Sequence, residues 1–126
     1  MRFAKVVFTV AGVYGVLVIT PLFFIYDLIG KNDPPAITHP GFYYGFTCVT
    51  LAWQIAFLVV ARDPVRLRPI MVPAIFEKFS YVVAATALFM QHRIKTPDYV
   101  LALIDLTLGV LFVISFVRTR QQALSL

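Results

Sequence analysis

Charge is scarce in this chain. Lysine, arginine, aspartate and glutamate make up only 13% of its 126 residues, about half the share found in a soluble domain. That leaves too little polar surface to clothe a water-soluble fold. Cysteine occurs once, at Cys48, which excludes an intrachain disulfide and a CxxC redox pair. The two histidines, His39 and His92, lie outside the apolar runs, so no bis-histidine haem site exists inside a bundle. Metal-ligand spacing, a phosphate-cradling glycine loop and a nucleophile–base arrangement are all missing. The sequence therefore implies no metal and no cofactor. The formal net charge of +5 is spread over ends and connections, as in membrane proteins, and is not a nucleic-acid footprint.

Apolar residues are what abounds: 60% are hydrophobic, with a mean hydropathy of +0.86. A membrane-crossing helix needs about 20 mostly apolar residues. Four stretches qualify, at 6–25, 42–61, 70–90 and 99–117. They are too long for strands, and the alternation of an outer-membrane barrel is absent. In lipid each helix satisfies its own backbone hydrogen bonds, and short connections set successive helices antiparallel. The expectation is one membrane domain over 1–126, an all-α, up-down antiparallel four-helix transmembrane bundle. The first stretch exceeds a signal-peptide core, and no small-residue cleavage pattern follows it, so it reads as a retained helix.

Orientation follows from the basic residues. Arg2 and Lys5, then Arg62, Arg66 and Arg68, then Arg118 and Arg120 fall on one side, against Lys31, Arg93 and Lys95 on the other. Both termini are therefore expected in the cytoplasm. Arg62, Arg66 and Arg68 are expected to meet inner-leaflet headgroups, each worth about 1 kcal/mol near the surface. Segment 26–41 is expected as an outer loop, followed by an aromatic belt at Phe42, Tyr43, Tyr44 and Phe46. Pro21 is expected to kink the first helix, with Thr20 helping the freed carbonyl. Ala11, Gly12 and Gly15 form a narrow strip for close helix approach, or for pairing with a second copy or a protein partner.

The polar groups inside the apolar stretches carry the functional signal, because each ionisable group there is expensive and must find a partner. Measured by helical rise from the stretch ends, Tyr14, Gln54 and Glu77 share one layer about 10–12 Å from the cytoplasmic edge. Trp53 lies beside it. Thr47, Thr50, Gln54 and Phe57 share one helix face, as do Pro73, Glu77, Ser80, Tyr81 and Ala84. A Gln54–Glu77 hydrogen bond is expected if the two faces meet. Lys78 is expected to snorkel to the headgroups rather than pair with Glu77. Asp105 is expected apart from Glu77, about 10 Å away in depth, on a stripe with Ala102, Gly109 and Phe112. Cys48 is expected as a small buried residue.

Three roles fit these groups: glue between helices, a pocket lined by Tyr14, Trp53, Gln54, Glu77, Tyr81 and Asp105, or a proton path through Glu77 and Asp105. The sequence favours a non-enzymatic accessory or apolar-ligand-binding protein. The alternative is an enzyme or proton-coupled carrier for a hydrophobic, amine-bearing molecule.

The runs 39–46 (HPGFYYGF), 51–54 (LAWQ), 61–69 and 73–78 (PAIFEK), with 104–106 and 109–111, resemble a group of short, uncharacterised bacterial four-span proteins. That resemblance implies the bacterial inner (plasma) membrane and four helices, and no activity. Gln54 and the Arg68-Pro69 helix start are more faintly similar to the sterol-isomerase and sigma-2-receptor four-helix fold, from which no catalytic residue carries over.

Overall fold

The computed structural model describes residues 2–124. Among them the secondary structure is entirely helical: α1 (Arg2–Ile19), a 3-10 turn (Thr20–Phe23), α2 (Tyr26–Asn32), α3 (Pro40–Arg62), a 3-10 turn (Arg68–Ile70), α4 (Met71–Met90), α5 (Thr96–Arg118) and α6 (Arg120–Leu124). Four segments, Arg2–Phe23, Pro40–Arg62, Arg68–Met90 and Thr96–Arg118, are long and apolar enough to cross a membrane. The chain is an all-α integral membrane protein.

The ends of the helices depart from the apolar stretches for local reasons. Pro21 has no N–H to give, so α1 stops at Ile19 and the chain tightens into the 3-10 turn. At this break Phe24 N–H bonds to the Pro21 carbonyl at 2.9 Å, and the Tyr43 hydroxyl donates to the Leu22 carbonyl at 2.7 Å. Segment 26–41, expected as loop, holds the helix α2. Asp27 in its first turn and Lys31 in its last oppose the helix dipole. α5 begins at Thr96, ahead of the apolar run, because Pro97 and Asp98 suit a first turn.

Contacts divide the chain into two compact units, Thr9–Val59 and Met1–Phe8 with Val60–Leu126. In the first, α1 and α3 run antiparallel in close contact. A Cβ on Gly12 would lie 2.5 Å from Leu58 Cδ2, and one on Gly15 would overlap the Gln54 side chain. The glycine strip read from the sequence is thus where α3 approaches. The expected inward face of α3 is also present: Thr47, Gln54 and Phe57 are all buried. Cys48 is exposed, contrary to expectation. It stands one 100° helical step from Thr47, which turns it off that face. At the end of α3 near Pro40, Tyr26, Tyr43 and Tyr44 pack ring against ring at 5.0–5.6 Å.

In the second unit α4 and α5 form an antiparallel hairpin. Arg68 meets Phe116, Lys78 meets Asp105, and Phe89 stacks on Tyr99 at 4.4 Å. The buried face of α4 is Met71, Ala74, Lys78, Val82 and Ala85, at helical spacing. Opposite it, α5 buries Ala102, Leu108, Gly109, Phe112 and Ser115. Phe8 of α1 stacks on Phe112 at 4.3 Å, and the Arg118 guanidinium lies 4.6 Å over Phe3.

The turn between α4 and α5 is a Schellman motif. Arg93 N–H bonds to Leu88 O at 2.8 Å and His92 N–H to Phe89 O at 3.0 Å. His92 occupies its left-handed position with φ 57, where glycine has no steric penalty. His92→Gly should therefore stabilise the hairpin by about 0.5–1 kcal/mol, read as a higher unfolding midpoint in detergent.

Candidate functional site

The six residues singled out as ligand candidates fall into the two units. Tyr14, Trp53 and Gln54 belong to Thr9–Val59, and Glu77, Tyr81 and Asp105 belong to the unit containing the hairpin.

In the first set, Tyr14 and Trp53 are half-buried, and the Trp53 ring leans on Phe57 with centroids 6.4 Å apart. Gln54 is 2% exposed. Its amide nitrogen donates to the Thr50 carbonyl one turn back, at 2.9 Å. Its amide oxygen is buried without a hydrogen bond among the described residues, turned onto Gly15. A glutamine so enclosed serves the α1–α3 packing.

The second set forms a charged cluster, and its centre is a residue the sequence reading sent elsewhere. Lys78 does not snorkel. It is 3% exposed, on the buried face of α4. Its ammonium donates to Asp105 Oδ1 at 3.2 Å and stands 3.6 Å from Glu77 Oε2. Lys78 thus pairs with both carboxylates, and Glu77 and Asp105, expected apart, share one cation. Two causes account for the difference. The lysine stem is long enough to lie along its own helix and still reach a carboxylate beside it. Gly109 also lets the backbones close in: a Cβ there would lie 3.2 Å from Lys78 Cβ and 3.0 Å from the Phe79 ring. Glycine four residues after Asp105 was the available signal, since a small residue on a helix face marks close approach.

Glu77 itself sits at the edge of the cluster, its side chain 23% exposed. The stripe read as inward, Pro73, Glu77, Ser80, Tyr81 and Ala84, is displaced by one helical step from the buried one. Pro73, Ser80, Tyr81 and Ala84 are exposed. Ser80 donates to the Glu77 backbone carbonyl at 3.3 Å, and Tyr81 is 42% exposed.

The arginines differ among themselves. Arg68 donates from Nε to the Phe116 carbonyl at 2.9 Å and lies 3.7 Å over the Phe116 ring, so it ties the start of the α4 span to the end of α5. Arg62 is exposed. Arg66 is exposed too and stands 3.7 Å from Asp63. An open depression of about 360 Å³ lies elsewhere, at Thr38, His39, Pro40, Gly41 and Phe42. Among the described residues no cluster of three or more His, Cys, Asp or Glu side chains is placed to hold a metal.

No family model, curated protein or solved structure matches this chain. The functional reading therefore rests on the geometry.

Proposed function

We propose that this protein is a non-enzymatic binding or accessory protein of the bacterial inner membrane, with both termini in the cytoplasm, and that it holds an apolar ligand at the Glu77–Lys78–Asp105 cluster. The supporting observation is the composition of that cluster. A lysine buried between membrane-spanning helices requires one carboxylate to neutralise it. Here it has two. Structural glue requires only the shorter Lys78–Asp105 contact, and the second carboxylate, Glu77, paired to the same lysine at 3.6 Å, places an additional acid at the edge of the cluster. Arg62 and Arg66, exposed at the cytoplasmic side under this orientation, contact anionic lipid headgroups.

Native mass spectrometry after gentle extraction in lipid tests the reading. The expected spectrum shows a small-molecule adduct besides bilayer lipid, absent from Glu77→Gln. Lipid adducts alone, identical in both proteins, would refute it.

A further inference from the structure

We propose that the arginine-bearing end of the unit formed by Met1–Phe8 and Val60–Leu126 holds anionic phospholipid, with Arg68 and Arg118 as two fixed phosphate seats. This rests on the orientation and headgroup contact proposed above, extends them beyond Arg62 and Arg66, and is independent of what the Glu77 cluster holds.

The chain's charge is unevenly placed. Seven of its eleven lysines and arginines lie at the chain ends and in the 62–69 connection, with one acid, Asp63. The connections on the other side carry three of each, Lys31, Arg93 and Lys95 against Asp27, Asp33 and Asp98. All seven belong to one compact unit. Within it the start of α1 packs on the end of α5, Phe8 on Phe112 and Phe3 under Arg118. The start of the α4 span meets that same end of α5 through Arg68 and Phe116. Each of the four spanning segments terminates on this side in an arginine: Arg2, Arg62, Arg68 and Arg118. The end of a span is where the headgroup region begins, so the array is set at the level of the lipid phosphates. The short 62–69 connection offers a soluble acidic partner little beyond it.

Two of the four arginines are seated rather than loose. Arg68 lies 3.7 Å over the Phe116 ring and gives its Nε hydrogen to the Phe116 carbonyl. Arg118 lies 4.6 Å over the Phe3 ring. A ring against the face of a guanidinium fixes its plane and leaves the N–H edge available, and that edge matches a phosphate bidentately. Neither arginine has a carboxylate within ion-pair distance among the described residues. Asp63 stands by Arg66, and Glu77 and Asp105 stand by Lys78. A headgroup phosphate supplies the missing anion. A headgroup with its own ammonium would bring a further positive charge among the arginines, which selects phosphatidylglycerol-type lipid over phosphatidylethanolamine.

The test uses the full-length protein in nanodiscs of phosphatidylethanolamine with a minor share of phosphatidylglycerol, and native mass spectrometry of the lipids retained on release. Retained lipid should be enriched in phosphatidylglycerol over the nanodisc. Arg118→Gln should lower that enrichment about fivefold, or about 1 kcal/mol, the contribution of one basic residue near an anionic surface. Arg118→Lys keeps the charge and loses the planar edge, and Phe3→Leu keeps every charge and removes the ring; each should lower it severalfold. Arg93→Gln, on the other side, should leave it unchanged, and unfolding midpoints report whether each variant is folded. Enrichment in the parent that Arg118→Lys and Phe3→Leu leave intact would overturn the seats and leave diffuse headgroup contact standing. No enrichment in the parent would overturn both. Loss of the enrichment when inorganic phosphate replaces chloride at equal ionic strength would give the seats to free phosphate and overturn the lipid assignment.

Discussion

Replacing Lys78 with methionine should destabilise the protein by about 3–5 kcal/mol, the range for breaking a buried ion pair from one side. Methionine fills much the same space, so the loss is electrostatic rather than a cavity. It leaves Glu77 and Asp105, whose side chains are 23% and 20% exposed, facing each other with no cation between them. Unfolding by a denaturing detergent, followed by circular dichroism, measures the effect. The triple variant Glu77→Leu, Lys78→Met, Asp105→Leu removes all three charges at once. It should recover most of the lost stability, because a buried ion pair exchanged for apolar residues is often neutral or better. If Lys78→Met is as stable as the parent, Lys78 does not hold the two carboxylates. Glu77→Gln provides the contrast: it removes the carboxylate with the longer contact and should cost little stability while abolishing ligand binding. Stability and binding thus separate along the two arms of the cluster, Lys78–Asp105 for the first and Glu77 for the second.

Gly15→Ala should cost about 1–3 kcal/mol through overpacking. The added methyl would occupy the space now filled by the Gln54 amide, and Gln54, only 2% exposed, has little room to withdraw. Gln54→Ala empties that space. The double variant Gly15→Ala, Gln54→Ala should therefore be more stable than the two single losses predict when added, with a coupling of about 1 kcal/mol or more. Additive losses would mean that the two side chains do not compete for one volume. Gly12 offers a harsher version, because a Cβ there also comes within 3.0 Å of the Gln54 backbone carbonyl, and a backbone cannot step aside as a side chain can.

The two glycine contacts and the charged cluster differ in how far each was legible in sequence. Gly12 and Gly15, with Ala11, form a strip of small residues on one helix, and it is the strip that signals close approach, since the lone Gly45 on α3 has nothing near it. The Thr47–Gln54–Phe57 face is legible because polar residues at helical spacing on an otherwise apolar helix must be turned inward. The same logic applied to α4 picks the face of Glu77, whereas the structure buries the face of Lys78. Both residues are charged and adjacent, so periodicity alone supports either phase. Asp105 was misplaced for a related reason. Depth counted from the ends of an apolar run ignores polar first turns such as Thr96–Asp98, and it knows nothing of the reach of a lysine.

Composition and run length alone determined that this is an all-α membrane protein with four spanning helices, because a low-dielectric interior forbids unpaired backbone groups and tolerates few charges. Which side of α4 faces α5, and therefore that Glu77 and Asp105 share one buried lysine, was decided only in the tertiary structure. Rotating a helix by one residue step leaves its hydropathy unchanged. The choice falls to short-range packing, in which Gly109 admits the Lys78 stem and Asp105 meets the charge at its end.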